Sequence, residues 1–384
     1  MVLNTNEGHT FEGTALDLFP GRPPQWRGPL VEVDRLQTHD PSQLLAFLCS
    51  MGLEDVTRSQ GSDTAVGILV GARGCAELGG VPGPGPSPVA VPECVAVAYR
   101  RADAGTPPVG ADEGPVQVGE WHASWTDEEH AAAVEAVRQE IARGNAYQAN
   151  VVGHRWAECS GDPRALGQRV ARLATAAYGG VIGGEGWAVA SASPEQLVRV
   201  VGDRITTAPI KGTSTDPQAL RGSEKDRAEH IMIVDLERND LARVTRPGSV
   251  QVEQLYALSE WAGLWHAASV VSGRLAVGVG TEDVLRALLP GGSVTGAPKH
   301  AACGLLAGLE PVGRGPAMGA FGFLWPGGLD LGLTIRTVAV AEGQVHLWAG
   351  GGITWGSDPG REVAEAHAKA APVQAALQVR PESS

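Results

Sequence analysis

Apolar and polar positions alternate along this chain in two different periods, and the change of period predicts its elements. Short runs rich in β-branched residues predict strands at 65–70, 95–99, 148–153, 188–192, 197–201, 204–207, 321–325, 331–340 and 345–348. Helical spacing follows clear start signals. Thr126 with Glu129 forms a capping box, after which Val134, Val137 and Ile141 share one face until Gly144 stops the helix. Ser223 caps a helix running through Arg243, Thr281 caps one ending at Pro290, and a last helix runs from Pro359 to about Ala371, where Pro372 should break or kink it. Two segments rich in proline and glycine, 79–92 and 104–115, predict loops. They divide the chain into a sheet-containing region at 1–78, a linker region at 79–117 around a short strand, and a larger domain at 118–380. Strands and helices in mixed order, with hairpin-like spacing near the end, predict an α+β fold with large mixed or antiparallel sheets flanked by helices.

Composition narrows the partners. The formal charge of −13 opposes nucleic acid and acidic membrane surfaces, so neither is expected. No run of eighteen apolar residues predicts a membrane span, and residues 1–11 lack the pattern of a signal peptide. The five cysteines are widely spaced with no C-x-x-C pair, which argues against a disulfide framework or a structural zinc site and fits a reducing cytoplasm. Of 30 basic residues only Lys211, Lys225, Lys299 and Lys369 are lysines. Arginine serves neither as a neutral amine nor as a compact point charge, so these four become candidates for chemistry, although Lys225 reads equally well as a solvated surface residue.

Several segments carry such chemistry. Glu229 precedes Met232, Ile233 and Leu236 on an apparent apolar stripe, where a carboxylate is costly unless it is paired or binds a cation; alone, it also reads as the border of that face. Glu362, Glu365 and Lys369 share a face of the last helix; alone they read as a surface ion pair. Gly350-Gly351-Gly352, placed between a strand and that helix, lets bare backbone approach a ligand. The run from Gly291 to Lys299 is not a P-loop, because Ala-Pro intervenes before the lysine, but a glycine- and hydroxyl-rich turn beside a lysine suits carboxylate binding. His266, alone in an apolar stretch, reads most simply as a core residue. Lys211, flanked by apolar and small residues, is open to desolvation, which frees its lone pair. Glu195 lies sixteen residues earlier, across an expected hairpin, where its carboxyl group can act as an acid beside the amine.

Together these segments resemble the chorismate-binding enzyme family of anthranilate synthase component I, aminodeoxychorismate synthase component I, and the isochorismate and salicylate synthases. The matches fall in family order: Tyr147 to Asn150, Ser193-Pro194-Glu195, Pro209 to Thr213, Ile233 to Leu236 with Arg238-Asn239-Asp240, Gly292 to Lys299, Ile335-Arg336-Thr337, Ala349 to Ile353, and Glu362 to Lys369. The resemblance implies an anthranilate synthase component I-like fold. It implies Mg²⁺ held by Glu229 and Glu365 with Glu362 close by, and chorismate carboxylates held by Arg336, Lys369 and the backbone of Gly350 to Gly352. It also implies Ser293 and Thr295 near the substrate ring and His266 beneath it. Lysine at the position of Lys211 is the pattern of aminodeoxychorismate synthases, where anthranilate synthases usually carry alanine. The amine then attacks C2 of the ring with Glu195 as the acid, and ammonia enters at C4. No glutaminase signature is visible, so ammonia is expected from a separate glutamine amidotransferase subunit. The alternatives are ortho amination, giving anthranilate or 2-amino-2-deoxyisochorismate, and a non-catalytic chorismate-binding regulatory homologue. Ala208, Ala317 and Trp355-Gly356 depart from the family pattern.

Overall fold

Two large sheets organise the chain, and the polypeptide crosses between them. The computed structural model describes residues 26, 30–58, 63–101, 115–174, 176–261 and 264–378; the expected loop at 104–115 and the first residues of the chain lie largely or wholly outside them. The first sheet has ten strands, in the order Leu30–Thr38, Cys94–Arg101, Thr64–Val70, Ala320–Trp325, Gly328–Leu333, Gln196–Val201, Arg204–Ala208, Leu264–Arg274 and Ile210–Ser214; Gln251–Trp261 pairs with Leu264–Arg274 as well. The second has eight: Gly296–Ala297, Gln148–Ser160, Gln344–Ile353, Thr337–Ala341, Trp187–Ser193 and Tyr178–Gly184, with Gln117–Val118 and His122–Ala123 also on Gln148–Ser160. The pairings are antiparallel. Strand Cys94–Arg101, from the 79–117 region, lies between two earlier strands, and Thr64–Val70 pairs with Ala320–Trp325. The N-terminal strands thus extend the sheet that carries Lys211.

Local sequence explains how closely the layers pack. Trp187–Ser193 is buried throughout and built mostly of alanine and serine. Helix Pro163–Ala171 lies against it so tightly that a Cβ on Gly167 would sit 3.0 Å from the Ala190 methyl. Small residues on both sides bring backbone to backbone, with the contact density of a protein interior. The capping box at Thr126 forms as expected, with Glu129 N donating to Thr126 Oγ1 and Thr126 N donating to the Glu129 carboxylate. Ser223 likewise accepts from Asp226 N at the start of Glu224–Ala242.

Four local expectations need correction. The 331–340 run is not one strand: it divides into Gly328–Leu333 in the first sheet and Thr337–Ala341 in the second. Gly350 to Gly352 is not a loop but the end of strand Gln344–Ile353, paired with Val152, Val151 and Asn150. Thr281 is the first residue of its helix rather than the cap, which is Gly280, and its hydroxyl donates to the Leu53 carbonyl. Pro372 does not end the last helix, which runs Pro359–Gln378. Ala366, Ala370, Val373 and Leu377 continue one buried stripe past the proline, so burial outweighs the single hydrogen bond it removes. Among the described residues no helix is long and apolar enough to cross a membrane, and the five cysteines are unpaired.

Candidate active site

Two of the crossings between the sheets run side by side. After Trp187–Ser193 the chain passes through Pro194 and Glu195 into Gln196–Val201; after Gly328–Leu333 it passes back through Thr334, Ile335 and Arg336 into Thr337–Ala341. Leu333 N donates to the Glu195 carbonyl at 3.1 Å, and Ala192 N donates to the Arg336 carbonyl at 3.1 Å. The crossing requires a sharp change of direction at Arg336, whose φ is 49°, in the left-handed region that non-glycine residues seldom occupy. Thus Glu195 and Arg336 stand together at the seam.

Lys211 reaches the same place from another direction. Pro209 has no N–H to offer the ladder, so Arg204–Ala208 ends there and Ile210–Ser214 begins as a new segment along Leu264–Arg274; Ser269 N donates to the Pro209 carbonyl at 3.1 Å. Lys211 Nζ donates to the Ser293 carbonyl at 3.1 Å. Ser293 lies in the 3₁₀ turn Gly292–Val294, and its hydroxyl donates to Glu195 Oε1 at 2.6 Å. One turn residue therefore ties the amine to the carboxyl group. Burial pulls the Lys211 ammonium below its ordinary range, opposed by the carboxylates of Glu195, Glu229 and Glu365 and assisted by the charge of Lys369. Burial pushes Glu195 above the usual carboxylate range, opposed by Lys211 and the Ser293 hydroxyl. Arg336 is shifted down by burial and held up by Glu195, which marks their proximity.

A second group forms over strand Gln344–Ile353. Lys369 Nζ donates to the Gly350 carbonyl at 3.0 Å and pairs with Glu365 Oε1 at 2.6 Å. A Cβ placed on Gly351 would lie 3.2 Å from Glu362 Oε2, 3.6 Å from Glu365 Oε1 and 3.7 Å from Lys369 Nζ. The bare backbone at Gly351 is the floor on which these three side chains converge. At Gly352 the Gln148 amide occupies the place a side chain would take. Among the described residues no three acidic, histidine or cysteine groups close into a metal cage. Mg²⁺, however, characteristically takes one or two carboxylates, keeps water and shares the substrate's oxygens, so the hard oxygen donors of Glu229, Glu362 and Glu365 fit it chemically.

The remaining expected residues are placed as follows. His266 is buried in strand Leu264–Arg274, opposite Thr213 on one side and Ser259 on the other. Thr295 is buried, and its hydroxyl donates back to the Gly291 carbonyl at 2.9 Å, bracing the turn. Lys299 is not free to meet a ligand carboxylate, since it forms a buried ion pair with Asp240 at 2.7 Å. Of the departures from the family pattern, Ala317 is buried, whereas Trp355 is exposed with the Arg138 guanidinium 5.8 Å from its ring centre.

The buried stripe of Glu224–Ala242 is displaced by one residue from the sequence reading. It comprises His230, Ile233, Val234, Glu237, Asp240 and Leu241, with Glu229 at its border. Sequence reasoning passed over His230 and Glu237 because both are polar, although they follow the helical period. His230 Nδ1 lies 2.9 Å from Ser269 Oγ, and Nε2 lies 2.8 Å from the Lys211 carbonyl, so the histidine fastens this helix to the strand of Lys211. Glu237 lies beneath Gly292, where burial and the nearby Asp240 push its carboxyl group up to about 8.

Known proteins resemble this chain in sequence and in fold. Residues 92–375 match the model of the chorismate binding enzyme family, and the chain belongs to that family. It is 40% identical over 258 residues to anthranilate synthase component 1 of Streptomyces coelicolor, covering 64% of this chain and 50% of the relative. It is 34% identical over 281 residues to aminodeoxychorismate synthase component 1 of Bacillus subtilis, covering 70% and 60%. The chain therefore spans about half to three fifths of the length of these relatives. Anthranilate synthase component I of Streptococcus pneumoniae superposes with a TM-score of 0.73 at 26% identity, over 86% of this chain and 85% of that one. The fold is thus α+β, of the anthranilate synthase component I type, in a family of chorismate-using synthases.

Proposed function

We propose that this chain is the synthase component that converts chorismate and ammonia into 4-amino-4-deoxychorismate. The reading rests on one observation: Lys211 Nζ and the Glu195 carboxyl group are held by opposite ends of Ser293. Aminodeoxychorismate synthase component 1 proteins from Salmonella typhimurium, at 37% identity, and Bacillus subtilis are among the relatives that support it.

The chain's own residues supply the steps. Burial leaves Lys211 a larger fraction of neutral amine, the nucleophilic form. Its nitrogen forms a bond to ring C2 while both conjugated ring double bonds shift by one position and the C4–O bond breaks. Glu195, whose raised pKa keeps a proton available, protonates the departing hydroxyl, which leaves as water. Ammonia then attacks C4, both double bonds shift back as the C2–N bond breaks, and the Lys211 nitrogen is expelled as the amine. Two displacements put the new nitrogen para to the ring carboxylate, whereas a single direct attack at C2 would put it ortho. Arg336, Lys369 and the backbone at Gly350 and Gly352 hold the carboxylates, with Ser293, Thr295 and His266 around the ring. Glu229, Glu362 and Glu365 would hold Mg²⁺, which supplies positive charge against a substrate carboxylate. Ammonia comes from a separate glutamine amidotransferase, in the cytoplasm.

The relative from Streptomyces coelicolor, an anthranilate synthase component at 40% identity, favours a second reading, ortho amination at C2. Incubation with chorismate, Mg²⁺ and an ammonium salt separates the two. Chromatography and mass spectrometry showing 4-amino-4-deoxychorismate support the proposal, and anthranilate or 2-amino-2-deoxyisochorismate refutes it.

A further inference from the structure

Beyond the groups that meet the substrate, we infer that Arg314 is a positioning residue, one that sets the catalytic geometry by gripping the turn that holds both Lys211 and Glu195. This rests on the proposed role of those two residues. Arg314 makes four side-chain contacts in a buried position. Nε donates to Glu310 Oε2 at 2.8 Å and Nη2 to Glu310 Oε1 at 2.6 Å, while Nη1 donates to the Val294 carbonyl at 2.8 Å and Nη2 to the Asn150 carbonyl at 2.6 Å. The two side chains are 6% and 4% exposed, so little solvent competes for these bonds.

The partners explain the role. Val294 stands between Ser293, which holds Lys211 and Glu195, and Thr295, whose carbonyl accepts from Asn150 N at 2.8 Å. Asn150 belongs to Gln148–Ser160 in the second sheet, and Glu310 Oε1 also accepts from Val152 N of the same strand at 3.1 Å. The planar guanidinium thus spans turn and sheet at once. The turn is only three residues long and is followed, after Thr295, by the two-residue strand Gly296–Ala297, so beside the bond of Thr295 to Gly291 the guanidinium is a main tie of the turn to the sheet. A guanidinium can satisfy one carboxylate and two carbonyls in fixed directions, whereas an ammonium presents a point charge without that fork. Substrate carboxylates fall to residues on other elements, Arg336 and Lys369. Loosening the turn should therefore disturb the reacting pair far more than substrate binding.

The test is Arg314→Lys, which keeps the charge opposite Glu310 and removes the fork. The enzyme is assayed by chorismate consumption with Mg²⁺ and ammonium, whichever amino product forms. The expected result is a fall in kcat of about a hundredfold with KM within about threefold. The limb of the pH profile governed by Glu195 should move to higher pH, because the Ser293 hydroxyl no longer favours its carboxylate form. Amides of residues 291–297 should exchange with deuterium faster while the helices keep their protection. A folded variant with kcat within about twofold of the parent overturns the inference, as does a slow variant with an unmoved pH limb and unchanged exchange in the turn. If Arg314→Lys does not fold, the double variant Glu310→Gln with Arg314→Met, which removes both charges, is read by the same three quantities. If the parent chain consumes no chorismate, the functional proposal fails, while the exchange comparison still decides whether Arg314 holds the turn.

Discussion

Lys211 and Glu195 are bound to the same residue. The amine donates to the Ser293 carbonyl at 3.1 Å, and the Ser293 hydroxyl donates to Glu195 Oε1 at 2.6 Å. Because burial lowers the amine and raises the carboxyl group, their titrations move toward each other. The rate with chorismate should depend on pH as a bell, rising as Lys211 loses its proton and falling as Glu195 loses its own. Ser293→Ala removes a hydrogen bond that lowers the Glu195 pKa, so the limb governed by Glu195 should shift upward by up to about one pH unit. A profile of kcat/KM against pH checks the sign; a downward shift contradicts it.

Gly351 carries no side chain because Glu362, Glu365 and Lys369 converge on it. In Gly351→Ala the new methyl group would lie 3.2 Å from Glu362 Oε2 and push that carboxylate from the position proposed for Mg²⁺, while meeting Glu365 at ordinary contact distance. The concentration of Mg²⁺ giving half-maximal activity should rise about tenfold, with little change in Tm. Titration of activity with Mg²⁺ measures this, and an unchanged midpoint removes Glu362 from metal binding.

What could be read from sequence followed local rules. The Thr126 capping box and the Ser223 cap are signals contained within four residues, and both formed. The sixteen residues from Glu195 to Lys211 enclose the hairpin of Gln196–Val201 and Arg204–Ala208, so the pair meets just beyond its open ends. The seam at Thr334–Arg336 was hidden because Leu333, Thr334, Ile335 and Arg336 keep the apolar–polar alternation of a strand, and only the arrangement of two sheets distinguishes a crossing from a long strand. His230 and Glu237 were missed for a related reason: a buried polar side chain keeps helical spacing but does not mark itself as buried. Lys299 looked like a ligand for anions because its partner, Asp240, is 59 residues away in sequence.

The Asp240–Lys299 pair is 5% and 12% exposed at its side chains, so neither charge can be left alone cheaply. Lys299→Met should destabilise the fold by about 3–5 kcal/mol, and adding Asp240→Asn should recover much of that loss. Urea unfolding of the two variants against the parent tests it; a double variant as unstable as the single one denies the pairing.

His154 Nε2 lies 3.1 Å from His346 Nδ1, with both rings buried and His154 Nδ1 2.6 Å from Ser124 Oγ. Burial lowers His154 to about 3 and His346 to about 4, from an ordinary value of 6.5. Below pH 6.5 the unfolded chain takes up protons that the folded chain cannot. Stability is therefore full above that pH and falls toward pH 4, by up to about 1.4 kcal/mol per pH unit for each histidine. His346→Gln should flatten this decline by about one proton's worth. Urea unfolding at neutral and acidic pH reads the slope directly, and an unchanged slope would assign the acid sensitivity to other groups.

The central claim is that nitrogen reaches C4 by way of the Lys211 amine, and the product made by Lys211→Ala tests it most directly. With chorismate, Mg²⁺ and ammonium, this variant should form no 4-amino-4-deoxychorismate, and any amination that persists should appear at C2. Formation of the 4-amino product at the parent rate would show that the lysine takes no covalent part in the reaction.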